Sequence, residues 1–86
     1  MNQKLSKLRP GDQAIIKEVE FKRGLSSRLI EMGFYPGKKI VMCRIALFGS
    51  PLEIDIGYNI LLRKSEADYI HVDKIEENKA EKDNYQ

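Results

Sequence analysis

Pro-Gly occurs twice in this chain, in Leu8-Arg9-Pro10-Gly11-Asp12 and in Phe34-Tyr35-Pro36-Gly37-Lys38. Pro presets φ at the first central position of a turn, and Gly accepts the positive φ of the second. Both segments therefore read as type II turns. A β-rich stretch follows each of them, Gln13 to Glu20 and Lys39 to Ile45. Two stiff turns that each launch a strand commit the chain to tight antiparallel β structure. The echo is too short to be a repeat architecture.

Between those strands, Leu25, Leu29 and Met32 recur at the i, i+4, i+7 spacing of one helical face. Ser26 or Ser27 is expected to cap the start of this helix, and Gly33 suits a left-handed cap at its end. At about two turns it must be held by packing, because short isolated helices are unstable. Leu52-Glu53-Ile54-Asp55-Ile56 alternates strictly and predicts a half-buried strand with Glu53 and Asp55 facing water. Gly57-Tyr58-Asn59 reverses the chain into Ile60-Leu61-Leu62-Arg63. One helical turn is expected at Ser65-Glu66-Ala67-Asp68, with Ser65 as its N-cap. Ile70-His71-Val72 reads as a last strand with His71 pointing outward. The order is strand, short helix, three strands, one helical turn, strand. It predicts a mainly β fold, a small closed or nearly closed antiparallel barrel whose closure removes exposed edges.

Eighty-six residues support one small domain. With 42% hydrophobic and 33% charged residues the chain reads as globular and soluble. The formal net charge is +2, but Asp73 to Gln86 holds five acids and three lysines, so residues 1–72 carry +4. The expected division is a folded domain over 1–72 and a charged, flexible tail over 73–86. One Cys excludes an intramolecular disulfide and any zinc site built from several cysteines. The longest apolar runs have four residues, as in Ile40 to Cys43, and Met1-Asn2-Gln3-Lys4 lacks a signal-peptide core. A cytoplasmic protein with no direct membrane insertion is expected.

No catalytic constellation is visible, and neither an enzyme activity nor a cofactor is expected. His71 and Cys43 are each the only residue of their kind, and nothing places them within the reach a nucleophile pair needs. Cys43 reads as a packing residue of its strand. Glu53 and Asp55 lack the enclosing pocket that acid–base work requires. Gly33 to Lys39 superficially resembles a phosphate loop, but its spacing is one residue short. No Ser or Thr follows the Lys, Pro36 removes a needed N–H, and the segment runs from helix into strand. No metal-ligand spacing is present, so no metal site is expected within one chain.

The informative anomaly is Ala46-Leu47-Phe48-Gly49-Ser50-Pro51, a strand connection carrying two large apolar residues. Either the loop folds back to plug a barrel end, which is the first expectation, or it presents an apolar contact to another protein. Phe48→Ala separates the two: a plug loses about 3–5 kcal/mol of stability, whereas a contact loses binding at constant stability. The expected contact surface joins Leu47 and Phe48 to Arg28 and Glu31, on the helix face turned away from the barrel.

The chain resembles the FeoA-type ferrous-iron transport accessory proteins. The likeness lies in Leu5 to Gly11, Arg28 to Gly37, Gly49-Ser50-Pro51, Gly57-Tyr58 and Leu62 to Ala67, and it spans residues 5–72. It implies a five-stranded SH3-like barrel with one short helix. It also implies a cytoplasmic adaptor that contacts the GTP-binding domain of a membrane ferrous-iron transporter. In that loop the family often has Ala-Pro-Leu-Gly-Asp-Pro, where this chain has Leu47 for the first Pro and Ser50 for the Asp. A related module follows the DNA-binding and dimerisation domains of iron-dependent repressors. No helix-turn-helix fits before Leu5, so a free-standing, metal-linked regulatory module is the alternative. Two further readings are a small nucleic-acid-binding barrel and a metal-linked dimer completed through His71. No basic–aromatic strip supports the first, so no nucleic acid is expected as a partner. A monomer or weak homo-oligomer is expected.

Overall fold

The computed structural model describes residues 2–76. Six strands form one antiparallel sheet: β1 (Asn2–Lys4), β2 (Gln13–Val19), β3 (Lys39–Ile45), β4 (Leu52–Asp55), β5 (Asn59–Leu62) and β6 (Ile70–Ile75). Their order across the sheet is β1-β6-β2-β3-β4-β5. Helix α1 (Ser26–Met32) joins β2 to β3, and α2 (Lys64–Ala67) joins β5 to β6. Short 3-10 turns occupy Leu5–Lys7 and Leu47–Gly49. All five expected strands are present. The sixth, β1, is a polar segment held by backbone pairing, with Gln3 opposite Val72.

Both Pro-Gly turns form. Asp12 N–H donates to the Arg9 carbonyl at 2.9 Å and Lys38 N–H to the Tyr35 carbonyl at 3.0 Å. The alternation of β4 is realised, with Leu52, Ile54 and the following Ile56 buried. The sheet curls because two strands carry a bulge. The β2–β6 register shifts between Ile16 and Glu18, and the β3–β4 register shifts between Met42 and Arg44. An extra residue bends its strand and increases the local twist, which wraps the sheet around one core. That core includes Leu5, Leu8, Ile16, Leu29, Phe34, Met42, Ile54, Leu62 and Val72.

The alternation along β3 corrects the reading of Cys43. With Ile40 and Met42 buried, Cys43 falls on the outward face and is exposed instead of packed, and the bulge then keeps Arg44 exposed where plain alternation would turn it inward. The last strand differs from expectation as well. It continues through Asp73 and Lys74 to Ile75, which pair with Ile15, Ala14 and Gln13 of β2. A ladder on the backbone does not need apolar side chains, and Lys74 reaches Asp12 at 3.4 Å. Of the expected tail, residues 77–86 lie outside the described residues.

On α1, Leu29 is fully buried, and Leu25 and Met32 pack against the core as the spacing predicts. Its start differs: Leu25 occupies the N-cap without a side-chain bond. Ser26 lies one position inside, where its hydroxyl donates to the Lys22 carbonyl at 3.2 Å. Helix α2 likewise starts earlier than expected. Arg63, not Ser65, is its N-cap, and the Arg63 N–H donates to the Glu66 carboxylate at 3.1 Å.

Gly33 closes α1 as expected, with φ 117° and its N–H on the Ile30 carbonyl at 3.0 Å. A Cβ there would come within 2.8 Å of Ile56 Cδ1. Gly33→Ala should therefore cost at least about 1–2 kcal/mol, the penalty of a left-handed L-residue, with the Ile56 contact adding to it. The shift of the urea midpoint measures this loss, and an unchanged midpoint would contradict this helix end.

Candidate contact surface

The Leu47–Gly49 turn is short and closed on itself. Ala46 N–H donates to the Pro51 carbonyl at 3.0 Å, and Gly49 N–H to the Ala46 carbonyl at 2.8 Å. Leu47 is 80% exposed and Phe48 is 96% exposed. The expectation that they plug the barrel is overturned. The core is already filled by Phe34, Met42 and their neighbours, and the turn points the two side chains away from it. Phe48 has φ 71° and ψ 12°, in the left-handed region, and Gly49 follows at φ 88°. A left-handed conformation costs an L-residue about 1–2 kcal/mol. Phe48 thus combines a strained backbone with an apolar ring in water, and observed strain of this kind is a pointer to function.

The base of the loop is fastened to α2, where the Ser50 hydroxyl accepts the Lys64 N–H at 3.1 Å. On its other side α2 meets α1, through an ion pair between the Arg28 guanidinium and Glu66. The second oxygen of Glu66 takes the Arg63 N–H. From below, the Ser6 hydroxyl donates to Asp68, just past the end of α2. A four-residue helix is therefore held by the base of the loop, by α1 and by the Leu5–Lys7 turn. Such pinning replaces the cooperativity that so short a helix lacks.

Of the four residues expected at the contact surface, Leu47 and Phe48 project freely and Arg28 is engaged by Glu66. Glu31 is exposed three residues on from Arg28, on the same side of α1. The loop is tied to α2 through Ser50 and Lys64, and α1 is tied to it through Arg28 and Glu66, so α2 links the two pairs of residues. Three further exposed residues escape sequence reasoning. Arg63 and Lys64 are exposed and have no ion pair among the described residues. Phe21 is 81% exposed in the connection from β2 to α1. Its signal was available, an aromatic between Glu20 and Lys22 in a polar loop.

The remaining chemistry-bearing groups are kept apart. Cys43 lies on β3 and His71 on β6, with β2 between them in the sheet. His71 Nε2 is 3.0 Å from Glu20 Oε1. Among the described residues no three His, Cys, Asp or Glu side chains gather in a metal-holding group. No helix there is long and apolar enough to cross a membrane.

Three relatives place this arrangement. The FeoA/FeoB ferrous-iron transport fusion protein of Porphyromonas gingivalis is 40% identical over 76 residues, 87% of this chain. The chain spans only 9% of that curated relative's length. The solution structure of iron(II) transport protein A from Clostridium thermocellum is 44% identical with a TM-score of 0.80, over 85% of this chain and 46% of that one. The zinc complex of Stenotrophomonas maltophilia FeoA, described as a prokaryotic SH3 domain protein, is 30% identical with a TM-score of 0.73. It aligns over 83% of this chain and 89% of its own. The mainly β fold is thus the SH3-like one. The family model for the FeoA domain matches residues 3–74, and the chain belongs to the FeoA domain family.

Proposed function

We propose that this protein is a cytoplasmic accessory of ferrous-iron uptake, acting without catalysis of its own. It contacts the GTP-binding domain of a membrane ferrous-iron transporter. The supporting observation is the fusion relative, in which an FeoA segment and an FeoB transporter share one polypeptide. Covalent linkage holds two modules at high effective concentration, as suits parts that work in contact. The surface that fits this role is the exposed Leu47–Phe48 turn, with Arg28 and Glu31 of α1 linked to it through α2. Apolar side chains left in water at a strained turn gain most when a partner covers them. A metal-linked dimer through His71 has less behind it, because Glu20 already engages that ring. A nucleic-acid role is also weaker, since Lys17, Arg28, Arg44 and Lys74 are each paired with a carboxylate.

Two measurements test the proposal together. The full chain should bind the isolated GTP-binding domain of its transporter in a pull-down, and deleting its gene should lower ferrous-iron uptake. No detectable binding with undiminished uptake would overturn it.

A further inference from the structure

The sheet ends in two edge strands, β1 and β5. They are guarded differently. β1 has three residues and carries Lys4. β5 reads Asn59-Ile60-Leu61-Leu62, with no charge, no Pro and an unbroken register against β4. Edge strands are commonly protected by shortness, by charge, by Pro or by a bulge. Beyond its modest length, β5 uses none of these.

The ladder shows which backbone groups β5 leaves open. Ile56 N–H donates to the Tyr58 carbonyl at 3.0 Å, and the register continues through Ile54 opposite Ile60 and Leu52 opposite Leu62. Hydrogen-bonded and non-hydrogen-bonded pairs alternate in an antiparallel ladder, so Tyr58, Ile60 and Leu62 turn their N–H and C=O groups towards β4. Asn59 and Leu61 turn theirs to the free edge, where no hydrogen bond among the described residues meets them. The Leu61 side chain is 62% exposed, and Ile60 packs against the core but is only half-buried.

Charge at the two ends of β5 favours one direction of pairing. Arg63 and Lys64 follow its last residue, are exposed and have no ion pair among the described residues. At the hairpin tip the charges balance. Asp55 Oδ1 accepts the Gly57 N–H at 2.8 Å, and a Cβ on Gly57 would lie 3.9 Å from Lys38 Nζ. Antiparallel pairing of two such strands sets each basic end against a balanced tip that holds a carboxylate, whereas parallel pairing would set two basic ends together.

We propose that β5 pairs antiparallel with β5 of a second copy of this chain, about a two-fold axis through Ile60. Asn59 of each copy then faces Leu61 of the other, and the open N–H and C=O groups bond in both directions at both pairs. The two Ile60 residues face each other at the axis as a close, non-hydrogen-bonded pair, so each covers the surface the other barrel leaves exposed. One pair of short strands falls below the roughly 1,200 Å² of a standard stable interface, so the dimer is weak and forms at high concentration.

The test is sedimentation of the full chain in reductant and chelator, from micromolar to millimolar concentration, with amide hydrogen exchange read residue by residue. The mass should rise towards that of a dimer, and the Asn59 and Leu61 amides should exchange several-fold more slowly in the concentrated sample. Leu61→Pro removes an N–H that the monomer does not use, and Leu61→Lys puts like charges near the axis. Each should raise the dissociation constant about tenfold or more. Both should melt within a few degrees of the wild type, and if the Pro variant unfolds, the Lys variant decides. A monomer at millimolar concentration would overturn the inference. So would a dimer whose Asn59 and Leu61 amides stay as fast as in the monomer, or one that the Lys variant leaves intact. If those amides slow only when the transporter's GTP-binding domain is added, β5 receives a strand of another protein and self-pairing is likewise overturned.

Discussion

Phe34→Ala should destabilise the protein by about 3–5 kcal/mol, the usual cost of emptying a fully buried phenylalanine site. Phe34 has no exposed surface. It directly follows the cap at Gly33, and its N–H donates to the Leu29 carbonyl at 3.0 Å. The ring therefore joins the end of α1 to the curled sheet, and the cavity left by its loss is bounded by backbone already fixed by hydrogen bonds. Domains of this size hold only about 5–15 kcal/mol in total. The melting temperature should fall by well over ~10 °C. A variant that melts within a few degrees of the wild type would show that the core does not close around this ring.

Phe48→Gly should do the opposite to stability and still damage binding. At 96% exposure the ring has almost no burial to lose. Its φ of 71° is one that Gly adopts freely. Relief of about 1–2 kcal/mol of left-handed strain is offset in part by the extra freedom Gly gives the unfolded chain. The net change should run from zero to about 1 kcal/mol in favour of the variant. Binding to the transporter's GTP-binding domain should weaken by about 2 kcal/mol or more, roughly thirtyfold, as for the loss of an interface anchor. Melting and titration of one variant thus move in opposite senses. A lower melting temperature, or unchanged affinity, would remove Phe48 from the contact surface.

The sequence made legible whatever was local and periodic. The Pro-Gly turns, the alternation of Leu52 to Ile56 and the Leu25–Leu29–Met32 stripe each need only a few neighbouring residues, and all three are in the structure. Features set by distant partners were not readable. Asn2–Lys4 has no apolar pattern, and it becomes a strand because β6 offers an edge. Strand β6 runs on to Ile75 because β2 continues beside it. The loop presented a two-way choice, and its outcome depended on whether the core was already full. Serine preference misplaced both caps, because contacts from Lys22 and Glu66 set where each helix begins. Arg63 and Lys64 gain meaning only beside Ser50, a neighbour brought there by the β4–β5 hairpin.

The outward face of β3 has a practical consequence at the bench. Cys43 stands there exposed, and it gives the native chain a single accessible thiol. A maleimide dye would attach at one position with no mutation needed, so partner binding can be followed by fluorescence. The same thiol can be oxidised by air and join two copies through a disulfide. Oligomer masses should therefore be compared with and without reductant before any dimer is ascribed to the non-covalent surfaces of the barrel.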